Sequence, residues 1–291
     1  MTILVTGSTG TIGSQVIAKL ADSGVDVRAL TRSPEKARFP QGVTAVKGDL
    51  MDVDAMRAAL QGVSSLFLLV PNGSDELTQA INTLSLAREA GVRGIVYLSV
   101  TRSDVYTDVP HFTAKHAVER MIEQLDLPAT ILRPSYFFQN DLTLKNPLLG
   151  AGLYVSPIGG KGVSMVDTGD IADAAVKELL RRAHADTPLP RELYELVGPD
   201  SLNGAMLAEI WTDTLSRPVR YLGDDLDAFE RQLAAVAPSW KAYDLRLMMR
   251  RYQQDGAAGS ATDIQRLTAL LGRAPRSYRD FAIETARSWQ N

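Results

Sequence analysis

The sequence predicts an α/β fold: a doubly wound parallel sheet with helices on both faces and a smaller, mostly helical C-terminal lobe. Three observations predict it. Over the first 134 residues, short apolar runs alternate with amphipathic stretches, as strands covered on both faces require. The segment Gly7-Ser8-Thr9-Gly10-Thr11-Ile12-Gly13 follows the first apolar run and leads directly into a helical pattern. After Arg133 the alternation gives way to aromatics, glycines and prolines, and then to long helical stretches.

Taken in order, Ile3-Leu4-Val5 reads as a buried strand. From Thr11 onward, Ile12, Val16, Ile17 and Leu20 share one helical face, and Gly24 ends it. Residues 25–30 form a second strand. Ser33-Pro34-Glu35 then opens a helix, with serine as cap and proline in the first turn. Residues 43–46 are a third strand, 54–60 a short helix and 65–70 a fourth strand. A helix over 77–90 is closed by Gly91, followed by a strand at 95–100, a long helix at 112–125 and a strand at 129–132. Residues 134–156 read as irregular, 162–166 as extended, 170–182 as helix and 192–197 as a last strand. The remainder is mostly helical and carries Trp211, Trp240 and Trp289. The first domain is therefore expected over 1–134, with 163–182 and 192–197 returning to it, and the smaller lobe over 135–291.

Composition narrows the class. The 291 residues are 45% hydrophobic and 22% charged, an ordinary globular profile that needs neither disulfide nor metal staples. With 31 Lys and Arg against 34 Asp and Glu, the net charge is −3, which argues against a general nucleic-acid binder. The absence of cysteine excludes a disulfide framework, a thiolate zinc site, a catalytic thiol and an iron–sulfur cluster. Three scattered histidines make no metal site. No stretch approaches the roughly 18 apolar residues of a membrane span, and the N-terminus has no signal-peptide pattern. A cytoplasmic protein with neither nucleic-acid nor membrane partners is expected.

The glycine loop carries the sharpest chemistry. Gly7, Gly10 and Gly13 have the spacing of a turn that leaves a strand, exposes amides and enters a closely packed helix. The amides around Thr9, Thr11 and Ile12 then face an anion at the positive end of the helix dipole. After a strand and before a helix, this is the phosphate loop of a Rossmann dinucleotide fold. An NAD site places an acid at the end of the second strand, whereas this chain has Thr31-Arg32-Ser33. The fork of Arg32 suits a 2′-phosphate, and Lys36 adds charge. Glu35, the rival acid, lies past the strand end. NADP(H) is thus expected in preference to NAD(H). Asp49, in Gly48-Asp49-Leu50, either accepts from the adenine amino group or caps a turn. Val70-Pro71-Asn72 ends the fourth strand beside the cofactor.

These motifs support a resemblance. The glycine loop, Gly48-Asp49-Leu50, Leu132-Arg133-Pro134 with Phe137-Phe138-Gln139-Asn140, and Val166-Asp167 with Asp170-Ile171-Ala172-Asp173 resemble the atypical short-chain dehydrogenases, and together the NmrA-like branch. That branch includes triphenylmethane reductases, NADPH-dependent quinone and azo-dye reductases, and redox-sensing regulators. The resemblance is close over the first 175 residues. Beyond them only Tyr194-Glu195-Leu196 with Gly198-Pro199 fits. It implies a Rossmann core, a small C-terminal lobe and NADP(H) in the glycine loop.

The resemblance also frames the chemistry. Typical members of the superfamily use Tyr-x-x-x-Lys on the helix after the fifth strand. Here the stretch is His111-Phe112-Thr113-Ala114-Lys115: the lysine is kept and histidine stands at the tyrosine position. Tyr106 does not rebuild the motif, because Pro110 lies four residues on. Without a phenol base, alcohol dehydrogenation loses support. Hydride delivery to an electron-poor acceptor needs orientation and exclusion of water more than a base. Lys115 would hold the nicotinamide ribose. His111 is either an acid near neutral pH or a surface histidine at a helix start. By position in the superfamily, Ser99 and Thr101 line the site, and Tyr136 and Phe137 offer faces for a flat acceptor or serve as core. Phe138 is assigned to core. Tyr97 sits inside a strand, facing either side, and Asn140 orders the loop. His116 and His184 are read as structural or exposed. Trp211, Trp240, Tyr243 and Tyr252 are assigned to the core of the small lobe. The basic stretch at 245–252 is read as a helix with a solvated face.

The expected activity is an NADPH-dependent reductase acting by direct hydride transfer on a quinone, an azo or triarylmethane dye, or an enone. The alternative is a non-catalytic NADP(H)-binding redox sensor that acts through a protein partner. A sugar-nucleotide epimerase or dehydratase is the weakest reading, since it needs the missing tyrosine. A homodimer is the assembly such flanking helices often form.

Overall fold

The alternation of apolar runs and amphipathic stretches builds a parallel sheet in the computed structural model, which describes residues 1–290. The strands are β1 (Thr2–Val5), β2 (Asp26–Thr31), β3 (Val43–Lys47), β4 (Ser65–Leu68), β5 (Gly94–Leu98), β6 (Ala129–Pro134), β7 (Leu153–Tyr154), β8 (Glu192–Leu196) and β9 (Arg220–Tyr221). The helices are α1 (Thr11–Leu20), α2 (Val53–Leu60), α3 (Glu76–Glu89), α4 (Pro110–Gln124), α5 (Lys145–Leu149), α6 (Thr168–Ala183), α7 (Gly204–Leu215), α8 (Leu226–Ala234), α9 (Ser239–Asp255), α10 (Ala261–Leu271) and α11 (Tyr278–Gln290). Among the described residues the main sheet has the order β3-β2-β1-β4-β5-β6-β8. Neighbours from β3 through β6 pair in parallel, for example Val5 with Ala29 and with Phe67.

The chain divides into two compact units, one of residues 1–100, 114–133 and 171–194, the other of residues 101–113, 134–170 and 195–291. Segments 101–113 and 163–170 thus lie with the second unit, whereas the sequence reading assigned both to the first.

In the first unit, strand order reverses between β1 and β4. Right-handed crossovers then put the helices of the two halves on opposite faces. On one face Leu66, Leu68, Ile95, Tyr97, Ala129 and Ile131, two residues apart on their strands, pack with Met56 and Leu60 of α2, Ala80 and Leu84 of α3, and Val118 and Ile122 of α4. An ion pair at 2.6 Å from Lys19 Nζ to Asp173 joins α1 to α6. The helix expected from Ser33 is a single turn instead, with Lys36 and Ala37 N–H groups bonded to the Ser33 carbonyl. Phe39-Pro40 follows at once, and the residue before a proline is pushed out of helical geometry.

In the second unit, β7 pairs with β9, and the stretch read as irregular holds a 3-10 turn (Phe138–Leu144) and α5. Residues 162–166 make only isolated bridges. Side chains of Asn203 and Asp225 cap α7 and α8, and Ser260 with Asp263 forms a capping box on α10. The core gathers Phe138, Tyr154, Trp211 and Tyr278. Phe138 packs against the rings of Tyr278 and Phe281, and Trp211 stacks on Trp289. Tyr252 is buried, but Trp240 and Tyr243 are exposed, contrary to the sequence reading. The buried residues of α9 include Ala242, Leu247, Met249 and Tyr252, and α8 buries no residue at all.

Candidate functional site

The glycine loop lies at the sheet's switch point, where ligands bind in open α/β folds. Gly7 has φ +59°, and a Cβ there would stand 2.6 Å from Leu69 Cδ2. A Cβ on Gly13 would run into the Gly7 carbonyl oxygen. The first turn of α1 can therefore lie directly on the loop only with glycine at 13. Gly10 is the N-cap and supplies no side-chain cap. The amides of Thr11, Ile12 and Gly13 accordingly have neither an intrahelical acceptor nor a capping oxygen. Thr9 and Thr11 are exposed, while Ile12 is buried beneath the loop. Two hydroxyls that the sequence reading missed fix the loop. Thr6 Oγ1 donates to the Leu69 carbonyl and accepts from the Leu69 N–H. Ser8 Oγ donates to the Leu30 carbonyl at 2.6 Å. Both tie the loop to the ends of neighbouring strands.

Arg32 stands at the end of β2 with its side chain exposed. Among the described residues no carboxylate pairs with it, although most other arginines of the chain are committed. Glu35 and Lys36 are exposed in the turn that follows. Asp49 Oδ1 accepts from the Met51 N–H at 2.9 Å, so one of its oxygens caps a turn. Leu50 packs against the core. Val70 is buried and Pro71 exposed at the end of the segment following β4.

Two buried charge clusters under α4 were not legible in the motifs. Lys115 Nζ lies 2.5 Å from Glu76 Oε1, with the two side chains 12% and 4% exposed. Glu76 opens α3, and its other oxygen, Oε2, is buried with no hydrogen-bond partner. Glu119, fully buried, accepts from Ser99 Oγ at 2.5 Å and from Arg133 through Nε and Nη2. The Ser99 hydroxyl thus gives its proton to Glu119, where the sequence reading had it lining the site: a buried carboxylate takes every donor in reach. His116 Nδ1 lies 3.6 Å from Glu119, and His184 is exposed on the carbonyl of Leu180.

Tyr97, Tyr106 and Tyr136 all have phenols that burial holds above the ordinary value. Burial first, then the charges of Glu76 and Glu119, holds the Tyr97 phenol well above its ordinary pKa. Tyr106 donates to the Gly256 carbonyl, and burial raises its pKa as well. In the second unit, burial and then Asp141 raise that of Tyr136.

Within the second unit, Tyr136 and Phe137 are half-buried, and Tyr136 meets Tyr252 edge-on at 6.0 Å. Thr101 is buried, its N–H bonded to the Pro134 carbonyl. Asn140 orders its loop through its backbone, donating to Phe137 and accepting from Thr143. His111 Nδ1 lies 2.6 Å from Asp244 Oδ2, and the His111 N–H donates to Asp244 Oδ1 at 3.1 Å. The arginines of α9 are neutralised within the chain, Arg246 by Asp227 and Glu230, Arg250 and Arg251 by Asp108. Among the described residues no helix is long and apolar enough to cross a membrane.

Comparison with known proteins agrees with this arrangement. The NAD(P)H azoreductase of Xenophilus azovorans is 29% identical over 285 residues, 96% of each chain. The (4-alkanoyl-5-oxo-2,5-dihydrofuran-3-yl)methyl phosphate reductase of Streptomyces griseus is 30% identical over 290 residues, 99% of each. The crystal structure of an NADPH-dependent quinone oxidoreductase from Escherichia coli, complexed with NADPH, has a TM-score of 0.85 at 24% identity, covering 97% of this chain and 99% of that one. The model of the NmrA-like family matches residues 1–272. With its glycine cradle, its strand order and that match together, the chain belongs to the NmrA-like family.

Proposed function

We propose that this protein is a reductase that binds NADPH in preference to NADH and passes hydride directly to an electron-poor, planar small molecule. The observation that carries the reading is the conjunction of the glycine cradle on α1 with the uncommitted guanidinium of Arg32 at the end of β2. The residues fit the dinucleotide. Gly13 lets the first turn of α1 close onto the loop, where a side chain would meet the Gly7 carbonyl, and the first-turn amides of α1 are donors for a pyrophosphate. Arg32 would take the 2′-phosphate in a forked, charge-assisted contact. The second oxygen of Asp49 remains for the adenine amino group. Lys115, whose ammonium Glu76 holds from one side, has further donors for the nicotinamide ribose. NADPH, when bound, supplies the hydride.

Tyr97, Tyr106 and Tyr136, whose phenols burial holds protonated, support reduction over alcohol oxidation. The names of two relatives, an azoreductase and a reductase of an alkanoyl-substituted dihydrofuranone, describe conjugated, electron-poor acceptors. The half-buried rings of Tyr136 and Phe137 suit the flat faces of such molecules.

The test is a titration with NADPH and NADH, followed by mixing with quinones, azo dyes, triarylmethane dyes and enones while nicotinamide absorbance is followed. Tight NADPH binding with oxidation by at least one class is expected. Tight binding with no oxidation across the panel would favour a redox sensor that acts through a protein partner.

A further inference from the structure

Strand β2 runs on past the strand beside it. Its register with β1 ends at Val5 with Ala29, while its register with β3 continues to Leu30 with Val46 and Thr31 with Lys47. The last residues of β2, from which Arg32 follows directly, therefore have a strand on one side only. Thr31 uses its carbonyl on that side, accepting from the Gly48 N–H at 3.0 Å. Successive carbonyls of a strand point to opposite neighbours, so the Leu30 carbonyl faces the side that β1 has left. Ser8 fills that place. It is 1% exposed, and its Oγ donates to the Leu30 carbonyl at 2.6 Å. The Leu30 side chain is held from the β3 side, where a Cβ on Gly48 would stand 2.7 Å from Leu30 Cδ1. Thr6 makes the matching tie on the other flank of the loop, to Leu69 just past the end of β4. The two ties differ in destination: only that of Ser8 reaches the strand that carries Arg32.

We propose that Ser8 is a positioning residue for cofactor choice: its bond to Leu30 fixes the end of β2, and with it Arg32, at one distance from the amides of the glycine loop. This rests on the reading of Arg32 as the partner of a 2′-phosphate. NADPH carries its pyrophosphate and its 2′-phosphate on one ribose ring, so the donors for the two must stand at a set separation to be met together. NADH has no 2′-phosphate and makes no demand on Arg32. A loop that keeps its shape but loses its tie to β2 should therefore lose selectivity before it loses dinucleotide binding.

Titration of the full-length protein with both cofactors tests this. Ser8→Ala should weaken NADPH by about tenfold, the worth of one hydrogen bond, and NADH by less than about twofold. In the Arg32→Ala background the same change should weaken NADPH by less than about twofold, because a residue that acts through Arg32 then has nothing left to position. Thr6→Ala, on the β4 side, should weaken both cofactors alike. Equal losses of NADPH and NADH in Ser8→Ala, no loss of either, or the full loss in the Arg32→Ala background would overturn the inference and leave the reading of Arg32 standing. A loss in Thr6→Ala as selective as that in Ser8→Ala would overturn it as well. Should Ser8→Ala not fold, Ser8→Cys, close in size and with only a weak S–H donor, gives the same comparison: a loss confined to NADPH is expected, and equal losses would overturn the role. Wild-type protein that binds NADPH no more tightly than NADH would overturn both the inference and the reading on which it rests.

Discussion

In the proposed reading, Arg32 concentrates cofactor choice in one side chain. Replacing it with alanine should weaken NADPH by about 2 kcal/mol, the value of a hydrogen bond between charged groups, or roughly thirtyfold in Kd, and leave NADH nearly unchanged. Equal losses of both in a binding titration would remove the 2′-phosphate assignment. Lys115 is a different kind of residue, because it stands with a buried counter-charge. Lys115→Ala should slow single-turnover hydride transfer by roughly a hundredfold, comparable to loss of one positioned donor. A wild-type rate would reduce the lysine to a structural role. Glu76 and Asp244 show the limit of residue-level reading. Each lies far in sequence from the group it serves, Glu76 from Lys115 and Asp244 from His111, in a stretch without any motif. Motif spacing located the basic partner of both pairs and could locate neither acid.

Helix α1 and the turn that feeds it form the element on which the reading depends, and this part was legible. Its glycines report a steric requirement local to a few residues, so the sequence carries it whole. Gly13→Ala would press a methyl group onto the Gly7 carbonyl. It should cost about 2 kcal/mol, in the range of overpacked interiors, and weaken NADPH at the same time. A stable variant with normal affinity, seen by denaturant melting and titration, would show that the helix does not need that close approach. Elements decided by tertiary contact were less legible. The Ser33 helix failed because Phe39-Pro40 ends it after one turn. Trp240 and Tyr243 were assigned to a core because aromatic side chains on a helix usually find one. Nothing in the local sequence of α9 says that its neighbour α8 buries no residue. Ser99 was read as lining the site because its bond to Glu119, held by Arg133, depends on the fold bringing β5, α4 and β6 together.

For the whole molecule, the parallel sheet with helices on both faces follows from the alternation of apolar runs, and that alternation was visible from the start. The division into units was harder to read, since residues 101–113 leave the first unit between two elements that belong to it. The stability of the whole chain should carry a signature of its second unit. Asp141 is buried, accepts from Tyr154 and Tyr278, and burial pushes its pKa up to about 7 despite those hydroxyls. The native state therefore binds a proton that the unfolded chain, with an ordinary carboxylate, has released. The stability linked to this group is fully present below the unfolded pKa near 4 and is lost as pH rises through about 7. Asp141→Asn should flatten that part of the stability profile in denaturant melts at a series of pH values. An unchanged slope would mean that the carboxyl group stays ionised in the fold. The proposed function depends on a single event, the direct passage of hydride from nicotinamide to acceptor. The most direct test is mass spectrometry of the product formed from a triarylmethane dye or an enone with NADPH deuterated on the transferring face of C4. One deuterium on the newly reduced carbon is the expected result. A product without deuterium, or acceptor left unconsumed while NADPH stays bound, would contradict it.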